Sequence, residues 1–455
     1  MAFEESDENL SQIGFLFILV SGLMALVISI AVYTRWDTNK KNERNADSSS
    51  EEEEDKKGNK KNDKNIFRKK VKDSKKSAKD SFSHHFLLTN LKGHAAPVLD
   101  IDFSSNGKYL VSTCEDRKLL LWNARAFDTN EHVPSVSKVD LDTATRLCFS
   151  PDSKSVLVAL KGENKLAVYK MAKTTSVKLV PVESITFQPS HTLDICRVGI
   201  ACTGKYLISA SPDNKVVVYG THGEEYGVIE SKLCVLYHAE ISPDGRFIGV
   251  SGFMPDVFVY EATFTREGQF QAIKKVFELK GHNSSVFSFA FNQDSRRAVT
   301  VCKDGFWRLF DTDIRYELGE EAKMISQGEW TVMKTCDPGD VHVAMSPSGK
   351  SFAIAANNHV LLVSTNTPNK SIPPVLDIHH APISSIRISP CGRYIATCGD
   401  RIIRIFNNVA EHYSTIVELE QALKEAKNEA ARERIDANLY QAKAELKALL
   451  KKDHL

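Results

Sequence analysis

Ser104-Ser105-Asn106-Gly107-Lys108 is followed by the alternating run YLVST at 109–113, and this pairing of tight turn and apolar strand returns six more times. The copies read SPDSK at 150–154, ACTGK at 201–205, SPDGR at 242–246, NQDSR at 292–296, SPSGK at 346–350 and SPCGR at 389–393. Glycine at the fourth place supplies the positive φ that a hairpin turn requires. Serine stands there in the second and fifth copies, so those two turns are expected to be strained or differently built. Each turn leads into a strand such as YLVST, YLISA, FIGVS or YIATC. A further strand then ends on an aromatic, as in LLLW, VVVY, VFVY, FWRLF and IIRIF. Period-two alternation in runs this short argues strand. Successive turns lie 41 to 54 residues apart, close to the length of one four-stranded propeller blade. Seven markers predict an all-β, seven-bladed propeller over residues 84–409.

The segment from Gly93-His94 to Trp122 resembles a WD40 repeat, with GH opening it and the aromatic closing it. That resemblance implies a buried hydrogen-bond chain of His, Ser/Thr, Asp and Trp in each well-formed repeat. The matching residues are His94, Ser112, Asp116 and Trp122 in repeat one. They are His191, Ser209 and Asp213 with Tyr219 in repeat three, and His282, Thr300 and Asp304 with Phe310 in repeat five. Repeat seven supplies His379, Thr397 and Asp400 with Phe406. Phenylalanine donates no hydrogen bond, so the chain is expected to be one link shorter in repeats five and seven. Repeats two, four and six keep less of the pattern; Asp256 of repeat four lies four residues before Tyr260, where the others have six. A His, Ser and Asp that recur in several blades read as structure and not as a catalytic triad.

Repeat seven contributes three strands and stops near Asn407. The run 86–91, FLLTNL, precedes the first GH and has no blade of its own. It is expected to supply the outer strand of the last blade and so close the ring.

Chemistry is scarce elsewhere. The chain carries no Walker loop, GxSxG, HExxH or dinucleotide fingerprint. Nine cysteines form no CxxC pair and no His cluster has ligand spacing, so neither a metal nor a cofactor is expected. Most of the cysteines sit in strand-like runs and read as buried thiols of a reducing compartment. The reading is a binding platform without a small-molecule substrate, and not an enzyme.

The flanking segments define the setting. After an acidic N-terminus (1–12), residues 13–33 carry no charge, and at about 1.5 Å per residue such a helix spans a bilayer. The acidic start and the length of the run speak against a cleaved signal. Arg35, Lys40, Lys41 and Arg44 follow it, while no Lys or Arg precedes it. By the positive-inside rule, everything after residue 35 faces the cytosol. The terminal Lys452-Asp453-His454-Leu455 resembles a luminal retention signal and is read as a coincidence. Residues 34–83 form a charged, apolar-poor linker, expected to be disordered. Its lysines, among them Lys69, Lys70, Lys75 and Lys76, offer contacts to anionic lipid or RNA phosphate.

The tail, 410–455, is rich in Glu, Lys, Ala and Leu. Its apolar residues fall at helical spacing, from Ile416 and Leu419 to Leu446 and Leu449. Asn428 ahead of Glu429 has the chemistry of a second helix cap. One rod or a hairpin, and packing on the propeller or on a partner, stand open at this point.

The order of anchor, basic linker, seven repeats and helical tail resembles an ER membrane-anchored branch of the WD40-repeat family. FSSNGKYL, FELKGH with SFAF, Asn292–Arg297 and CGDR at 398–401 carry that likeness. It implies a single-pass endoplasmic reticulum protein whose cytosolic propeller is a scaffold in the unfolded-protein response. The implied protein partners are the ER-stress kinase that phosphorylates a translation initiation factor, and the translation machinery. The alternative is RNA or ribosome tethering through the basic linker.

Overall fold

The computed structural model describes residues 82–450, apart from 130, 174–176, 369–371 and 427. Seven antiparallel sheets follow one another along the chain. Blades 1 to 6 span residues 98–138, 144–181, 197–230, 236–279, 286–329 and 341–364, and blade 7 is built on 385–407. The first strands of successive blades pack side by side around a central channel, and all but that of blade 5 carry polar residues toward it.

The apolar faces of neighbouring blades meet in shared clusters. Val111, Leu119 and Leu121 of blade 1 pack with Leu147, Phe149 and Val158 of blade 2, all buried. A fully buried Val, Leu or Phe contributes roughly 1.5–3 kcal/mol. The ring is therefore held by the blade interfaces, and each blade depends on its neighbours.

The expected closure is present. The strand Leu87–Lys92 pairs antiparallel with Ile402–Asn407, with Leu87 opposite Phe406 and Lys92 opposite Ile402. Asn407 N donates to Phe86 O at 2.8 Å, and Phe86 and Leu91 are buried.

All seven turns adopt the left-handed conformation, those of Ser153 and Ser295 included, each at φ 57°. The serine turns are offset by bonds between blades. Ser153 Oγ accepts from Asn106 N and Ser295 Oγ from Asp244 N, each at 3.2 Å, so each hydroxyl ties its turn to that of the preceding blade.

Blade 6 departs from the four-strand expectation. It has three strands, Val341–Met345, Ser351–Ala356 and His359–Ser364. A single bridge between Val360 and Val375 stands where a fourth strand would run. Pro368, Pro373 and Pro374 occupy that stretch, and proline cannot donate to a ladder.

A helical hairpin covers this region, which answers the question left open for the tail. Helix α1 (Val409–Glu425) begins on the expected last residue of the propeller, one residue before the expected tail, and helix α2 (Glu429–Leu450) returns along it. Asn428 Oδ1 accepts from Ala430 N at 3.1 Å, as its capping chemistry predicts. Ile416, Leu439, Ala442 and Leu446 join the core formed by Phe86, Ile372, Val375 and Phe406. Polar contacts fix α1 on blade 6: Ser364 Oγ lies 2.6 Å from Ser414 Oγ, and Ser351 Oγ donates to Glu411 Oε2 at 2.8 Å. Lys443 and Glu420 pair across the hairpin at 2.7 Å. Leu439→Asp should therefore cost about 2–4 kcal/mol and free α2 from the ring. Rapid proteolysis near 426–428 checks this; a hairpin as resistant as that of the parent chain would contradict it.

No helix among the described residues is long and apolar enough to cross a membrane. The apolar run 13–33 and the linker to residue 81 lie outside the described residues.

Candidate binding surfaces

The His–Ser/Thr–Asp sets form as four separate braces on one face of the ring, opposite the tight turns. In blade 1, Trp122 Nε1 donates to Ser112 Oγ at 2.9 Å, and Ser112 Oγ lies 2.7 Å from His94 Nε2. Asp116 accepts from Ala95 N at 3.2 Å and faces His94 Nδ1 at 3.7 Å. In blade 3, His191 stands 2.7 Å from Ser209 Oγ and 3.3 Å from Asp213. Blades 5 and 7 repeat the geometry, with His282–Thr300 at 2.6 Å and His379–Thr397 at 2.9 Å. Each set ties the loop entering its blade to the turn between the second and third strands.

Blades 5 and 7 lack the aromatic link, as expected of phenylalanine, and gain an arginine at the opposite end of the chain. Arg308 Nη1 donates to Asp304 Oδ2 at 3.1 Å and bonds His282 Nδ1. Arg404 Nη1 reaches Asp400 Oδ2 at 3.1 Å and His379 Nδ1 at 2.7 Å. A guanidinium beside the Asp–His pair compensates for the missing indole at the other end of the chain. The signal lies in FWRLF and IIRIF, where arginine stands two residues before the closing Phe. Blades 1 and 3 have Leu120 and Val217 at that place. Burial by itself would raise the carboxyls of Asp304 and Asp400. The facing imidazole, a backbone amide and the arginine together hold both well below the ordinary range.

Two braces also bring a thiol close: Cys114 to His94 and Asp116, and Cys302 to His282 and Asp304. These thiols donate to the backbone carbonyls of Ala96 and Ser284. Burial pushes Cys114 up to about 11 and Cys302 up to about 12, so both stay protonated and act as further braces.

Six buried imidazoles, those of His94, His191, His238, His282, His342 and His379, are held below the histidine range, chiefly by burial. His94 falls to about 4. An unfolded histidine titrates near pH 6.5, so below that pH the unfolded chain binds more protons and stability falls with pH. Two channel carboxylates act in the opposite sense. Burial raises Asp102 to about 6 and Glu240 to about 7. They line the channel and keep some contact with water, which weakens their effect, and they are outnumbered. The melting temperature should therefore drop between about pH 7 and pH 5. A melting temperature that held or rose at the lower pH would contradict the buried neutral imidazoles.

The channel has two unlike halves. Toward the tight turns, a cavity of about 510 Å³ is bordered by Asp102, Glu240 and Arg387, with Arg387 Nε 3.7 Å from Asp102 Oδ1. Toward the brace face, a smaller cavity of about 170 Å³ is bordered by Arg146, Arg197, His342, Tyr237 and Phe287. Neither channel half was legible beforehand, because its residues come from first strands far apart in sequence. Lys69, Lys70, Lys75 and Lys76, the expected phosphate or lipid contacts, lie outside the described residues.

Comparison with known proteins agrees with this geometry. The WD domain, G-beta repeat family matches residues 86–123, 273–311 and 372–407, which hold the first three strands of blades 1, 5 and 7 with the segment that precedes each. Transducin beta-like protein 2 of Mus musculus is 36% identical over 435 residues, covering 95% of this chain and 96% of that protein. Its Homo sapiens counterpart is 34% identical over 94% of this chain and 95% of its own length. A guanine nucleotide-binding protein subunit beta of Arabidopsis thaliana is 23% identical over half of the chain and 59% of its own length. With this degree of identity along nearly its whole length, the chain belongs to the transducin beta-like protein 2 family of WD40-repeat proteins.

Proposed function

We propose that the chain is a non-enzymatic scaffold anchored in the endoplasmic reticulum membrane, its propeller facing the cytosol and binding protein partners in ER-stress signalling and translation control. One observation carries the binding role. The His, Ser/Thr and Asp groups that would serve catalysis recur in four blades, bonded to one another and to backbone amides. They brace a rigid ring and leave its faces as the working surface. The uncharged run 13–33, followed by Arg35, Lys40, Lys41 and Arg44, supports the anchor and its direction. The nine cysteines are all unpaired, in keeping with a reducing compartment.

Orientation is tested at Asn283, an exposed sequon residue. In microsomes, Asn283 should stay unglycosylated and the C-terminus open to protease; a glycan there, or protection, overturns the cytosolic placement. The basic linker supports a second reading, RNA or ribosome tethering. Association abolished by replacing the lysines of 56–79 and steep in salt would favour it. Association that survives that change and fails when propeller loops are altered supports the scaffold.

A further inference from the structure

Arg197 is the first residue of its strand in blade 3 and is buried at the middle of the channel. Its Nε donates to His238 Nδ1 and its Nη2 to His342 Nδ1, both at 3.0 Å. A guanidinium has donors only, so both imidazoles accept at Nδ1 and carry their protons on Nε2. His238 Nε2 points to Glu240 at 3.5 Å. Arg197 Nη1 is a buried donor with no hydrogen-bond partner. Arg197 and His342 border the smaller cavity, which no Asp or Glu lines, and Arg197 also borders the larger one, where Asp102 and Glu240 lie. Arg387 has Asp102 beside it, whereas Arg197 is held by two neutral imidazoles. Burial and neighbouring Arg146 pull Arg197 down to about 10, which leaves it charged at neutral pH. A buried cation with an orphaned donor calls for an oxyanion, which would satisfy both the charge and the hydrogen bond.

Two exposed apolar side chains stand beside this mouth. Val235 and Phe253 are joined by a backbone hydrogen bond at 3.0 Å and are 39% and 59% exposed. They adjoin Leu236 and Tyr237, which border the cavity. Resting on the protein-binding reading above, we propose that the brace-face mouth of the channel binds an acidic segment of a protein partner. A glutamate or aspartate carboxylate would sit on Arg197, with an adjacent apolar side chain on Val235 and Phe253. A cavity of this size admits one side chain. A nucleic-acid backbone, with a sugar and base at every phosphate, does not fit such a recess as well.

Selection of a random dodecapeptide display library on the full-length chain in lipid nanodiscs tests the site. Enriched peptides should place Glu or Asp beside an aliphatic or aromatic residue. Fluorescence polarisation with a selected peptide should show binding weakened about tenfold or more by Arg197→Gln, by Phe253→Ser, and by Glu→Gln in the peptide. The last change leaves the protein untouched, and Phe253 is exposed, so the test does not depend on whether the Arg197 variant folds. The proposal is overturned if no acidic peptide is enriched, if Glu→Gln leaves affinity unchanged, if only a phosphoserine version binds, or if a polyuridylate oligomer displaces the peptide. If these tests fail while partners still depend on other propeller loops, this site falls and the scaffold stands.

Discussion

A chain that begins at residue 93 is expected not to fold, whereas one that begins at residue 84 should fold with a cooperative transition. The shorter chain keeps His94 and every brace, and loses only the strand Leu87–Lys92 and its lead-in. Among the described residues, that strand fastens the N-terminal end of the propeller into blade 7 by a ladder, running from Leu87–Phe406 to Lys92–Ile402. Removing it exposes the edge of Ile402–Asn407 and opens the apolar clusters that hold Phe86 and Leu91. Two fully buried side chains are worth roughly 3–6 kcal/mol together, before the lost ladder is counted. That is comparable with the whole net stability of a typical domain, about 5–15 kcal/mol. Circular dichroism and solubility of the two chains decide the matter, and equal folding would contradict closure by this strand.

Asp400→Ala should destabilise the ring by about 3–5 kcal/mol, well beyond the cost of Asp116→Ala. Arg404 is 1% exposed and touches Asp400 and the neutral His379. Without Asp400, a buried guanidinium keeps its charge and loses its counterion. Asp116 has no such arginine, since Leu120 stands in that place; its loss removes an amide hydrogen bond, the contact with His94 and an ion pair with the partly exposed Lys118, which water can satisfy. The double variant Asp400→Ala, Arg404→Leu should recover much of the loss, because no charge is then stranded. Denaturant midpoints of the three variants read this out. A double variant as weak as Asp400→Ala would mean that the arginine is not what makes that aspartate costly.

The repeat itself was legible because turn chemistry is local. Gly107, Gly245 and their equivalents sit where a positive φ is needed, and the seven markers became seven blades. The braces were legible because His94, Ser112 and Asp116 keep fixed offsets that recur. The arginine substitutes were visible as letters but not as partners, since nothing in FWRLF or IIRIF says that the side chain turns back to the histidine. Blade 6 misled the strand count: three prolines interrupt its last segment, and a helix from the far end of the chain covers the gap. The channel was beyond reach for a different reason. Arg197, His238 and His342 come from blades 3, 4 and 6, and only the assembled ring brings all three within hydrogen-bonding distance.

Melting temperature and partner association, measured on the same preparations of Ser209→Ala and the parent chain, test most directly whether these polar sets brace a binding ring. Ser209 Oγ is buried against His191 at the centre of one brace. The expected result is a lower melting temperature with unchanged association at temperatures where the variant is folded. Lost association at an unchanged melting temperature would show that the His, Ser and Asp sets are functional groups and not braces.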